Sequence, residues 1–341
     1  MHGPTRRHPW SRLERSIRIA LVGIVALTVA ACGAPGAAAP TLDHVTIGLT
    51  YVPNIQFAPF YVADSLGYYK AAGVSVTLHH HAVGEDEFAA LQAGQENMIF
   101  ASGDEVLGAR SHNLPIVYLA EVFTRYPVAL IVPASSPIKT AADLKGHTIG
   151  VPGAYGATYI GLLALLKSAG LTQQDVKIQS IGYTQVPALM GQKVDAVMGY
   201  LNNEAIQFQQ SNFPVRTLPV TATQPLISNG LAALQSELTA HPADVKAVIA
   251  ATLKGVAYVD AHPNQALTIS EKYVPGLSDP KNAAAAKAVL QATMPLWQPG
   301  AHPGAVDGNA WGSMATFMGS IGQLSGPVDA AKALDTSYLP K

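Results

Sequence analysis

The stretch VDAVMGYLNNEAIQFQQ, residues 194–210, sets the reading of this chain. Its first half is an apolar run that reads as a buried strand, and its second half reads as a helix. Between them stand Asn202, Asn203 and Glu204. A strand that passes directly into a helix is half of an α/β repeat. Polar side chains at such a junction need a reason. One Asn capping the helix, with Glu204 beside its positive end, accounts for two of the three. The second Asn and the neighbouring Tyr200 go beyond that need. In open α/β sheets, ligands sit outside the carboxyl ends of the strands. Amides donate and accept and an ionised carboxylate only accepts, so the triplet suits the edge of a heterocycle.

Working outward, the same alternation fills the chain. HVTIGLTYV, VSVTL, NMIFASG and IVYLAEV read as strands. FAPFYVADSLGYYKAAG reads as one amphipathic helix closed by Gly73, with EDEFAALQAG and DEVLGARSHN as the next two. A second unit starts near Val128 with the strands VALIVPA, HTIGVPG, VKIQSIGY, VDAVMGY and VRTLPV. Its helices are TAADLKG, ATYIGLLALLKSAG, VPALMGQK and NEAIQFQQ. Beyond about Leu226 the pattern is helical, in runs that begin at Ser236, Lys281 and Gly308. The expected fold is α/β, with mostly parallel sheets covered on both faces. The lobes are expected at 43–127 with 223–341, and at 128–222. Two crossings, at 126–128 and 221–226, then make a hinge beside a cleft.

Composition agrees and excludes other classes. A chain of 341 residues, 49% hydrophobic, exceeds the usual single core. Only 13% of residues are charged and the formal net charge is -1, so no basic field exists to hold nucleic acid. The N-terminus is a targeting segment: Arg6, Arg7, Arg12, Arg15 and Arg18 precede a short apolar run at 19–31. That run ends in VAAC, and Cys32 is the only cysteine, so no disulfide forms within the chain. Residues 32–42 read as a flexible tether.

Several motifs carry a family resemblance. VAAC resembles the bacterial lipobox, which implies removal of residues 1–31 and a lipid on Cys32. YVPNIQFAPFYVADSLGYYKAAGVSV (51–76), DLKGHTIGVPG (143–153) and ALMGQKVDAVMGYLNNE (188–204) resemble the signatures of solute-binding proteins of ABC importers. The family includes binders of thiamine pyrimidine precursors, aliphatic sulfonates and, in a close branch, riboflavin. The resemblance runs from about 44 to 225. It implies a two-lobe type II periplasmic-binding-protein-like fold with an interlobe cleft. It also implies a small-molecule solute, a permease and an ATPase as partners, and a monomer held by its lipid at the outer face of the cell membrane. No cofactor is called for.

Candidate ligand residues lie at strand ends. The first set is Tyr200, Asn202, Asn203 and Glu204. The loop GVPGAYGATYIG (150–161) leads into a helix, and its N–H groups suit a carbonyl or acidic oxygen. Gly153, Tyr155, Thr158 and Tyr159 are its candidates; the plainer reading is an ordinary strand–helix turn. Ser102 and Asp104 sit at another junction, where helix capping is the expected duty. Tyr51, Asn54 and Phe57 follow the first strand, while Phe60 and Tyr61 read as core. Arg125, Tyr126 and Tyr183 complete the set. Tyrosines and amides with one arginine favour a planar, largely neutral heteroaromatic, riboflavin slightly ahead of a thiamine pyrimidine. A sulfonate or nitrate, the alternative, would want stronger cationic groups.

Two other readings are weaker. Alternation puts His79 and His81 on one face, as a metal pair would be, but a solvated strand end around His79, His80 and His81 is the expectation. The family has a pyrimidine-synthesising enzyme relative with a Cys-rich motif, and this chain has no cysteine after Cys32. Binding without turnover is the expectation.

Overall fold

A computed structural model describes residues 43–82, 85–220, 226–297 and 302–341. The expected leader, Cys32 and most of the tether lie outside the described residues, as does most of the second crossing at 221–226. No helix among the described residues is long and apolar enough to cross a membrane.

In the first part, β1 (Asp43–Leu49) leads to α1 (Ala58–Ser65) and α2 (Tyr68–Ala71). Then come β2 (Val74–His80), α3 (Ala89–Gln92), β3 (Met98–Ser102), α4 (Gly103–Ser111) and β4 (Ile116–Glu121). The second part holds β5 (Val128–Pro133), β6 (Thr148–Val151), α5 (Gly156–Ser168), β7 (Lys177–Ser180), α6 (Gln185–Met190), β8 (Ala196–Tyr200), α7 (Glu204–Gln210) and β9 (Val215–Pro219). The chain closes with β10 (Asn229–Leu234), α8 (Gln235–Ala240), α9 (Pro242–Ala261), α10 (Pro263–Ser270), α11 (Pro280–Thr293) and α12 (Gly308–Ser320).

Two five-stranded sheets share one plan, with orders β2-β1-β3-β10-β4 and β7-β6-β8-β5-β9. In each, three strands run parallel and the fourth is antiparallel to both neighbours: β10 between β3 and β4, and β5 between β8 and β9. The sheets are therefore mixed, with four of five strands running one way and one reversed. Strand periodicity buries both faces. In β3, Ile99 and Ala101 join one apolar cluster, Met98 and Phe100 the other. In β8, Ala196 and Met198 point into the first cluster and Val197 into a third. The first cluster contains residues of both sheets together with α4, α5 and α12, so the lobes share core on that side.

Several expectations are corrected. The aromatic helix after β1 is two helices, with Gly67 at φ 70° between them. EDEFAALQAG forms only the single turn of α3. TAADLKG forms a 3-10 turn over Ala141–Leu144. The run from Ser236 is three helices, broken where Pro242 and Pro263 start new ones. NGLAAL, inside the stretch expected to be helical, is β10. The histidines at the end of β2 are not a solvated terminus: His81 is 2% exposed and His80 is half-buried against Tyr61 and Phe57.

Candidate ligand-binding site

The carboxyl ends of β1, β3, β6, β7 and β8 face one crevice, as the crossover rule requires. Its cavity volume is about 80 Å³, well short of the roughly 300 Å³ or more that a drug-sized molecule occupies, so the walls must part to admit one. Rings form much of the wall: Tyr51, Phe57, Phe100 and Phe123 from the first lobe, Tyr155, Tyr183 and Tyr200 from the second. Tyr51 and Tyr183 meet across the crevice with ring centroids 4.6 Å apart and planes tilted by 60°. Burial pushes the hydroxyls of Tyr51, Tyr183 and Tyr200 well above the ordinary tyrosine range, so all three remain neutral donors.

Polar groups sit between the rings. Glu204 accepts from the Tyr200 backbone N–H at 2.7 Å and from Asn203 Nδ2 at 2.9 Å. It is 4% exposed, and burial raises its carboxyl, with those hydrogen bonds pulling the other way. Gln207 Nε2 donates to Asn203 Oδ1 at 2.9 Å, so Asn203 is held from both sides. The Asn203 side chain makes no capping bond to α7, even though Asn203 precedes it. Asn229, at the start of β10, lines the crevice with its Oδ1 buried and without a partner among the described residues. Such an acceptor calls for a donor.

The acids are arranged around α5. Glu105, on α4, accepts from the Ser102 backbone N–H at 2.7 Å and from the Ala157 backbone N–H at 3.0 Å. Its carboxylate thus reaches from the first lobe to the N-terminus of α5 in the second, where the helix dipole favours negative charge. Glu87 arrives at the same place: a Cβ on Gly156 would stand 3.2 Å from an oxygen of each acid. Burial, then the charge of Glu105, raises the Glu87 carboxyl well above its usual value. No Lys or Arg is among the described residues that line the crevice. Glu87, Glu105, Tyr155 and Gly156 also line a second, wider hollow, flanked by Glu85, Asp86 and Asp104.

A family model described as NMT1/THI5 like matches residues 54–266. Riboflavin-binding protein RibY of Chloroflexus aurantiacus is 33% identical over 345 residues, spanning 95% of this chain and 98% of that protein. The chain belongs to the NMT1/THI5-like family. A formylaminopyrimidine-binding protein of Halalkalibacterium halodurans is 27% identical over 164 residues, 48% of this chain and 49% of that one. Among solved structures, the periplasmic aliphatic sulphonate binding protein SsuA of Escherichia coli shares the fold. Its TM-score is 0.67 at 17% identity, over 87% of this chain and 93% of SsuA. The relative matched end to end and this structural neighbour are both binding proteins, and the fold this chain shares with the neighbour is that of a periplasmic binding protein.

In this NMT1/THI5-like chain, Tyr51, Phe57, Tyr155, Thr158, Tyr183, Tyr200, Asn203 and Glu204 line the crevice. The other sequence candidates do not. Asn202 is buried behind the wall, donating to Thr293 Oγ1 at 3.0 Å and Gln56 Oε1 at 3.4 Å across the lobes. Asn54 caps the 3-10 turn Ile55–Phe57. Ser102 starts α4, and Asp104 is buried beneath it near Tyr126. Tyr126 donates to the Ala157 carbonyl at 2.9 Å. Tyr159 points into the core side of α5 and donates to Gln173 at 2.7 Å. Arg125 is exposed. Gly153 allows Tyr155 to fold back, since a side chain there would collide with the ring. Gln56, Glu87, Phe100, Glu105, Phe123, Gln185 and Asn229 line the crevice and were not among the candidates. The sequence does offer a signal for Glu105: it stands three residues after Ser102, the spacing of a capping box.

Proposed function

We propose that this chain is the lipid-anchored, extracytoplasmic binding subunit of an ABC importer, and that it captures a planar heteroaromatic vitamin, riboflavin ahead of a thiamine pyrimidine. The supporting observation is the filled N-terminus of α5. An anion binder would present those N–H groups to its ligand. Here Glu105 already takes the Ala157 N–H, and Glu87 and Glu204 add further acid to a crevice without a lining cation. Aromatic faces with carboxylate and amide edges suit an uncharged ring system. The wider acidic hollow that Glu87 and Glu105 also line gives a polyhydroxyl tail a place with many acceptors, which a bare pyrimidine does not need. The kinship with a riboflavin-binding protein points the same way.

In this reading residues 1–31 direct export, and the lipid on Cys32 holds the tethered domain outside the membrane. The lobes close over the rings, and burial of the ligand favours the closed form that the permease engages. Capture at micromolar concentration needs a net binding free energy of about -8 kcal/mol. Titration of the mature protein into riboflavin, followed by flavin fluorescence, tests the ligand. Saturable quenching at micromolar protein supports it; no quenching alongside tight methanesulfonate binding refutes it. Replacing Cys32 with Ser is expected to move the protein from the membrane fraction to the soluble fraction.

A further inference from the structure

β2 ends on three histidines, and two of them turn to one buried acid. His79 Nδ1 lies 2.6 Å from Glu96 Oε1, and His81 Nε2 lies 2.8 Å from that same oxygen. The Glu96 side chain is fully buried and rests on Gly48 of β1, where any side chain would collide with the carboxylate. A bond from each ring to that oxygen puts the protons on His79 Nδ1 and His81 Nε2. The lone pairs are left at His79 Nε2 and His81 Nδ1. His81 Nδ1 is buried and has no hydrogen-bond partner among the described residues. His79 Nε2 faces Glu85, whose Oε1 is 3.9 Å away. One ligand atom each from His79, His81 and Glu85 lie within 4.8 Å of one another.

We propose that His79, His81 and Glu85 bind a divalent transition-metal ion, zinc being representative, with Glu96 orienting both imidazoles from behind. Two imidazoles and a carboxylate are a zinc-type donor set, with water free to take the fourth position. Ligating histidines characteristically give their other N–H to a carboxylate, which fixes the tautomer and raises the basicity of the ring. Glu96 does this for both rings at once. Ligand atoms around tetrahedral zinc stand about 3.4 Å apart for bonds of about 2.1 Å, so side-chain rotation of about an ångström completes the site. Packing alone does not account for the arrangement, because a buried nitrogen without a partner is a cost that a core position would shed. Glu85 is two residues from Glu87 in the crevice, so an ion held there also fixes the segment that carries Glu87.

The test uses the mature protein made without a polyhistidine tag and stripped by a chelator. Zinc chloride is titrated in by calorimetry, with the melting temperature read in parallel. One ion per chain at micromolar affinity or tighter, with a rise in melting temperature, is the expected result; magnesium at the same concentration gives neither. His79 and Glu85 are partly exposed, at 42% and 31% of the side chain, so H79Q and E85Q preserve the fold. Each is expected to weaken zinc binding about tenfold or more, and E96Q about ten- to hundredfold; E85Q leaves the zinc-free melting temperature unchanged, whereas H79Q takes one donor from buried Glu96 and lowers it. With 11 histidines in the chain, adventitious binding is the competing outcome. No saturable binding, or binding that the H79Q/E85Q double variant retains at parental strength, overturns the site.

Discussion

At the scale of the residue, Glu204 carries two duties that one substitution can separate. Removing the side chain leaves the Tyr200 N–H without its buried acceptor, at a cost of about 1–3 kcal/mol. Glu204→Ala should therefore lower both ligand affinity and melting temperature. Glu204→Gln keeps an acceptor oxygen toward Tyr200 and loses the charge; it should keep most of the stability while still weakening binding. Equal affinity in parent and Gln variant, by fluorescence titration, would remove the charge of Glu204 from recognition. Asp104 gives a pH signature. Burial, with the charge of Glu105, raises its carboxyl from near 3.8 to about 8. The folded state then holds a proton that the unfolded chain releases. Stability from this group is full below the unfolded value and is lost as pH climbs from about 4 toward 8. Asp104→Asn should raise the melting temperature at pH 8 and flatten its fall between pH 5 and 8. A variant with the parental slope would assign the titration elsewhere.

At the scale of the element, the start of α5 decides what the crevice accepts. Phosphorylated flavin brings charge against the Glu105 carboxylate, and like charges set against each other in a binding site cost several kcal/mol. Flavin mononucleotide is expected to bind at least about tenfold more weakly than riboflavin, compared by competition in the fluorescence assay. The strand ends were legible from sequence because an apolar run followed by Asn and Glu is visible in one dimension. The strand–helix alternation gave away the two sheets for the same reason. The failures have physical causes. β10 falls inside the stretch beyond about Leu226 expected to be helical, and its pairing partners lie more than a hundred residues upstream in β3 and β4, where no local pattern reveals them. Asn202 looked like a ligand group because sequence does not show that Gln56 and Thr293 meet it from the other lobe. Glu96 was passed over because nothing local announces a carboxylate reaching across β1 to two rings on β2.

At the scale of the whole molecule, opposite lobes touch through Tyr51 and Tyr183, Glu105 and Ala157, and Asn202 with Thr293. These contacts favour the closed arrangement, so part of the closure preference belongs to the protein before any ligand arrives. Riboflavin at about a hundred times its dissociation constant should add about 2.7 kcal/mol of stability, read as a rise in melting temperature. Small-angle scattering should show a fall in radius of gyration on binding. An unchanged radius together with saturable binding would mean that the lobes are already shut.

The place of β10 governs how the chain is made. It lies between β3 and β4, so β3 stays half-paired and β4 has no strand partner until Asn229 has left the ribosome. Long-range pairing of this kind delays folding. On the export route proposed above, a polypeptide threading a channel as an extended strand would benefit from such lateness: the first lobe completes its sheet only when its last-made strand is free to insert, like a bolt shot after passage.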